Sequence, residues 1–139
     1  MIKYEYFNNG KLLIVKYTGK ISKPLLSSFL SFLFREVDIS TLENIVADYR
    51  DAEMDFLAKD AQDIIKTRTE KANKDHYKIK TIFLVKGPKE TAISILFSIA
   101  LEKSPVFIYS TSDPCLKKIS LNMSPEEFDF KIKNLKHSY

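Results

Sequence analysis

Three short runs dense in β-branched and aromatic residues constrain the fold more than any other feature of the 139-residue sequence: Asn44-Ile45-Val46-Ala47-Asp48-Tyr49, Thr81-Ile82-Phe83-Leu84-Val85 and Val106-Phe107-Ile108-Tyr109. A strand apolar on nearly every residue is buried on both faces, and strands that alternate with helices are joined by right-handed parallel crossovers. The alternation predicts an α/β chain with helices covering the faces of a sheet. Upstream, Ile2, Tyr4 and Tyr6 alternate with Lys3 and Glu5, Asn8-Asn9-Gly10 supplies turn residues, and Leu12 to Tyr17 resumes a β-rich run. That pattern is an opening hairpin, which makes the sheet mixed. The predicted order is ββαβαβαβα, in one domain over residues 1–139.

Helix boundaries follow from caps and spacing. Ser22 caps a first helix with Pro24 in its first turn, running from about Lys23 to Val37. Met54, Leu57, Ala61, Ile64 and Ile65 recur at helical spacing and predict a second helix ending about Ala72. Gly87-Pro88 stops a strand, and a third helix runs from about Lys89 to Glu102. Ser124-Pro125-Glu126-Glu127 opens the last helix with a capping serine, a proline at the first helical position and acids in the first turn. The first and third helices are apolar over more of their circumference than one core-facing stripe requires. The surplus predicts a second partner for each, with Phe32, Phe34 and Phe97 as the positions of an apolar interface or ligand groove. Self-association as a two-fold homodimer is the simplest form of that expectation, and a lipid-like ligand is its competitor.

Composition narrows the function classes. Cys115 is the only cysteine, which excludes an intramolecular disulfide and any Cys-rich zinc site and suits a reducing, cytoplasmic setting. Met1-Ile2-Lys3-Tyr4-Glu5 alternates polar and apolar, unlike a signal peptide, and no apolar run approaches the roughly 20 residues of a membrane span. The net charge of +4 rests almost wholly on dispersed lysine, with arginine only at 35, 50 and 68. Nucleic-acid binding is therefore not expected, because planar recognition of phosphate and bases favours arginine. The charged run from Lys66 to Lys80 is read as a helix end and loop.

Parallel strands collect functional groups at their carboxyl ends. There the sequence offers Asp48, Arg50 and Asp51, then Lys86 and Gly87, then Ser110, Thr111 and Asp113. Asp48 and Asp51 have the composition of an acid–base pair or of magnesium ligands, but helix capping and pairing with Arg50 account for them more simply. Gly87-Pro88-Lys89 resembles an anion cradle with too little glycine, and neither a Walker sequence nor a dinucleotide fingerprint is present. Cys115 follows Asp113-Pro114, at the first turn of a short helix whose dipole would activate a thiol. The histidines that would serve it as base, His76 and His137, fall in a charged loop and a frayable tail. No catalytic residue, metal site or cofactor is expected.

The hairpin from Tyr4 to Tyr17 ending at Gly19, the stretch from Ile45 to Glu53, and Phe83-Leu84-Val85-Lys86-Gly87-Pro88 entering a helix together resemble the STAS-like, SpoIIAA-like family. The resemblance implies a bacterial, non-enzymatic regulatory module that docks a protein partner through the loop after the third strand, here Tyr49, Arg50 and Met54. In the sporulation-regulator branch that contact is switched by phosphorylation of a serine at the start of the next helix. Asp51 to Asp60 contains neither serine nor threonine, so the switch does not carry over. The wider fold includes CRAL-TRIO lipid-binding relatives, which implies the alternative of a carrier for an apolar ligand.

Overall fold

The computed structural model describes residues 1–36, 40–71, 78–101 and 104–139. The expected positions Val37, Ala72, His76 and Glu102 lie outside them. Strands β1 (Ile2–Phe7) and β2 (Leu12–Ile21) form the opening hairpin. Its turn closes with Lys11 N donating to Asn8 O at 3.2 Å. Asn9 and Gly10 take φ of 56° and 82°, the left-handed pair that a tight hairpin turn requires. Helix α1 (Lys23–Glu36) leads to β3 (Asn44–Met54), a 3-10 turn at Ala58–Asp60 to α2 (Ala61–Lys71), and then β4 (Lys80–Leu84). Helix α3 (Pro88–Ala100), β5 (Val106–Tyr109), α4 (Ser112–Lys118), α5 (Pro125–Lys133) and a two-residue strand β6 (His137–Ser138) complete the chain.

The sheet order is β5-β4-β3-β2-β1-β6, parallel from β2 to β5 and antiparallel at β1 and β6. One face packs under α1, α2 and α3, with Leu26, Phe29, Ile64, Ile93 and Phe97 among its buried residues. The other packs under α4 and α5 around Cys115, Leu116, Phe128 and Ile132. Leu12 to Tyr17 is buried throughout because β2 lies between both layers. Capping follows the sequence: Leu25 N donates to Ser22 Oγ, and Glu127 N to Ser124 Oγ at 3.1 Å.

Three departures from the sequence reading have physical causes. The segment expected to begin the second helix at Met54 is strand, because β3 keeps pairing with β2 out to Ile21↔Met54 while Asp51 and Glu53 alternate outward. Helix α4 is the short helix expected around Cys115, and it adds an element to the order ββαβαβαβα. The segment expected to fray instead adds β6 to β1, with Tyr4 opposite His137. Finally, the second face of α1 is covered within the chain by α2, Tyr4 and Tyr139, whose ring lies 5.1 Å from those of Phe29 and Phe32.

Candidate functional site

Between β2 and β3 the pairing slips: Lys16 faces Asp48, but Thr18 faces Asp51, so Tyr49 and Arg50 oppose the single residue Tyr17. Such a bulge removes a backbone group from the ladder and re-aims the side chains that follow. Here the Arg50 N–H is accepted by the Asp48 carboxylate at 3.0 Å. Arg50 Nε reaches the same oxygen at 3.0 Å, and Nη2 reaches the other at 2.9 Å. Lys16 Nζ, on the neighbouring strand, donates to Asp48 at 3.0 Å and pairs with Asp51 at 2.6 Å. Asp48 is 0% exposed, and a buried carboxylate survives only when paired and hydrogen-bonded.

The network extends to the covering helices. Arg50 Nη1 donates to Ser112 Oγ at 3.0 Å, Nη2 to Asp129 at 2.9 Å, and Ser112 Oγ to Asp129 at 2.6 Å. One guanidinium thus ties β3 to the starts of α4 and the middle of α5. Burial pushes the Asp48 carboxyl up, but the side-chain and backbone hydrogen bonds from Arg50, with the charges of Arg50 and Lys16, outweigh it and hold the group below the usual carboxylate range. Burial likewise opposes the charge on Arg50, yet Asp48 and then Asp129 keep it protonated beyond its ordinary range.

A cavity of about 250 Å³ opens beside the network, lined by Lys16, Asp48, Arg50, Asp51, Lys86 and Lys133 among others. The structure therefore brings together Asp48, Arg50, Asp51 and Lys86 at the carboxyl ends of the parallel strands. Asp48 is spent on Arg50 as the ion-pair reading expects, but from within a strand, so it caps no helix.

The remaining sequence-derived positions are placed differently. Tyr49 is 7% exposed and stacks on Tyr17 with ring centroids 4.2 Å apart; Met54 is 1% exposed. Neither is on a loop. Phe97 is buried against Phe83, Phe32 packs on Tyr4 and Tyr139, and Phe34 packs against the same core. The large apolar side chains that α3 does expose are Ile95 and Ile99, the latter at 67%. Gly87-Pro88-Lys89 serves the strand end: Met54 N donates to Glu90 and Lys89 Nζ donates to Met54 O, so the lysine is already engaged. A Cβ on Gly87 would stand 2.2 Å from Glu90 Oε2, which explains the glycine. Cys115 is buried, and burial pushes its thiol up to about 12 rather than activating it. His137 stacks near Tyr4, with ring centroids 5.3 Å apart.

Lys16, Ser112 and Asp129 escaped the sequence reading. A lysine inside an otherwise apolar, fully buried run was the available signal, since such a residue demands a carboxylate. Among the described residues no group of three or more His, Cys, Asp or Glu is placed to hold a metal, and no helix is long and apolar enough to cross a membrane.

No protein-family model matches the chain, and no curated protein matches it. Solved structures do. SpoIIAA, an anti-sigma factor antagonist in its unphosphorylated form, superposes with a TM-score of 0.51 over 87% of this chain and 99% of that one, at 10% identity. An uncharacterized protein of the DUF3478 family with a SpoIIAA-like fold, from Shewanella loihica PV-4, gives 0.54 over 85% of this chain and 91% of that one, at 12% identity. The strand order, the opening hairpin and these superpositions together establish that the chain has the SpoIIAA-like fold.

Proposed function

We propose that the chain is a non-enzymatic, cytoplasmic interaction module of STAS-like type, a single unit over residues 1–139 that acts by docking on a protein partner. The supporting observation is how its polar groups are used at the sheet edge where open α/β folds hold ligands. Asp48, Arg50, Lys16, Ser112 and Asp129 are committed to one another, which stiffens the edge and leaves no free acid, base or nucleophile among them. Immediately beyond, Asp51, Glu53 and Asp55 are exposed and alternate along the end of β3, followed by Leu57 at 54% exposure. An apolar residue on an acidic ridge is the composition of a docking surface for a basic partner. Of Tyr49, Arg50 and Met54, Arg50 reaches the edge, and the other two support the ridge from beneath. The role of SpoIIAA as an anti-sigma factor antagonist favours protein recognition on this fold. The test is affinity capture with the full chain against its Leu57→Glu and Glu53→Lys variants. The reading expects a partner held by the wild type and lost by both; retention by both contradicts it.

A second reading, homodimerisation, is favoured by Ile95 and Ile99, exposed four residues apart on one face of α3. Light scattering of the wild type and of Ile99→Glu decides it: a dimer converted to monomer supports the interface, and a monomeric wild type at high concentration removes it.

A further inference from the structure

We propose that the outer edge of β1, where it runs past the end of β6, is a second docking site, taking by strand addition an extended peptide that carries a basic and an apolar side chain two residues apart, on the face turned to α5. The site is independent of the ridge after β3. Its geometry follows from the alternation of backbone direction along a strand. Thr18 N donates to Met1 O at 2.9 Å and Tyr139 N to Ile2 O at 3.0 Å, so odd-numbered residues of β1 turn their backbone groups to β2 and even-numbered ones turn outward. Strand β6 pairs only with Lys3 and Tyr4. The N–H and C=O of Tyr6 therefore face outward with no strand beside them among the described residues, and an unpaired edge is a template for another chain.

The flank of that edge is shaped to receive one. A groove of about 820 Å³ lies between β1 and α5, lined by Glu5, Tyr6 and Phe7 on one side and by Glu126, Phe130 and Asn134 on the other. Its volume falls within the range of about 300–1,000 Å³ typical of ligand clefts. Glu126, Phe130 and Asn134 follow one another at four-residue intervals and share one face of α5. Phe130, at 69%, is the most exposed large apolar side chain among the described residues. Two lysines also line the groove, but Lys136 pairs with Glu5 at 3.1 Å and Lys131 lies over the Phe7 ring, 5.8 Å from its centroid. Glu126 and Glu127 have no ion partner among the described residues, and three glutamates against two lysines leave the groove one net negative charge on a chain whose net charge is +4. Backbone pairing at Tyr6 supplies affinity, Phe130 selects an apolar side chain on the face turned to α5, and the two glutamates select a basic one two residues away on that same face.

Amide exchange by NMR on the full chain tests the open edge: the Tyr6 amide exchanges at least about a hundredfold faster than the Tyr4 amide, which is paired to His137. A fluorescein-labelled hexapeptide with lysine, leucine and lysine at its even positions and serine between them, so that all three side chains share one face, then binds saturably and slows exchange at Tyr6. The same peptide N-methylated at alternate residues does not bind. Phe130→Ser weakens binding by about tenfold while leaving thermal stability unchanged, since the side chain is exposed, and Glu126→Gln with Glu127→Gln weakens it as much while lowering the thermal midpoint only by the loss of two first-turn acids. Equal binding of the N-methylated peptide, or no protection of Tyr6 by the unmodified one, overturns the proposal. Protection of Tyr6 that grows with protein concentration alone assigns the edge to a second copy and overturns it as well.

Discussion

Replacing Arg50 by methionine isolates the contribution of the buried network. The substitution keeps an unbranched apolar stem and removes the guanidinium, and with it two side-chain hydrogen bonds to Asp48 and one each to Ser112 and Asp129. Asp48 stays at 0% exposure with Lys16 as its remaining ionic partner. Removing one member of a buried pair costs about 3–5 kcal/mol, because the other charge stays desolvated. The cavity beside Arg50 admits water and Asp129 is partly exposed, which places Arg50→Met near the low end, about 3 kcal/mol. In urea that displaces the unfolding midpoint by roughly 1–2 M. The pH dependence carries a sign. In the wild type the Asp48 pKa is held below its ordinary 3.8, so its contribution is present above that value and is lost as pH falls through the lower folded-state value. In the variant, burial is no longer opposed by Arg50 and the folded-state pKa moves up, so the deficit is largest at neutral pH and shrinks as Asp48 takes a proton. Adding Asp48→Asn removes the stranded charge, and the double variant is destabilised by less than the sum of the single ones. A deficit under about 1 kcal/mol at pH 7, or one that grows on acidification, refutes the reasoning.

Three further expectations follow from single contacts. Cys115, with its thiol pushed up to about 12 by burial, stays unmodified by a disulfide reagent at pH 8 and reacts once urea unfolds the chain; rapid native labelling contradicts this burial. Gly87→Ala gains up to about 1 kcal/mol by restricting the unfolded chain, but its Cβ displaces the Glu90 carboxylate from Met54 N, for a net loss of about 1–3 kcal/mol in chemical denaturation. Tyr139→Ala removes ring contacts to Phe29 and Phe32 and the hydroxyl contact to Ser28, lowering stability by about 1–2 kcal/mol and the thermal midpoint by several degrees in calorimetry.

What the sequence disclosed was local or periodic. The turn at Asn8-Asn9-Gly10, the caps at Ser22 and Ser124 and the buried strands announce themselves within a few residues, and the resemblance to SpoIIAA-like chains agrees with the fold. What it concealed depends on distant pairing. Met54, Leu57 and Ala61 recur at helical intervals, yet β2 holds Met54 in the sheet, so pairing overrides the pattern. The bulge opposite Tyr17 has no local signature, and the contacts of Lys16 with Asp48 and of Arg50 with Ser112 and Asp129 join residues far apart in sequence. Strand β6 is two residues long, too short for any period to show. The apolar excess of α1 was real, but its cover comes from Tyr139, 110 positions beyond Phe29 in sequence. On α3 the exposed large apolar residues are Ile95 and Ile99, while Phe97 turns inward onto Phe83.

Site-specific photocrosslinking tests the central claim, recognition of a protein through the end of β3, most directly. A benzophenone side chain is placed at exposed Glu53 and, as a control, at exposed Lys117 on α4, and the full chain is irradiated in a lysate of cells that express it natively. The account predicts one dominant crosslinked protein from position 53, absent from position 117 and suppressed by Leu57→Glu. Crosslinks of equal pattern from both positions, or none from 53 alongside a discrete partner at 117, contradict it.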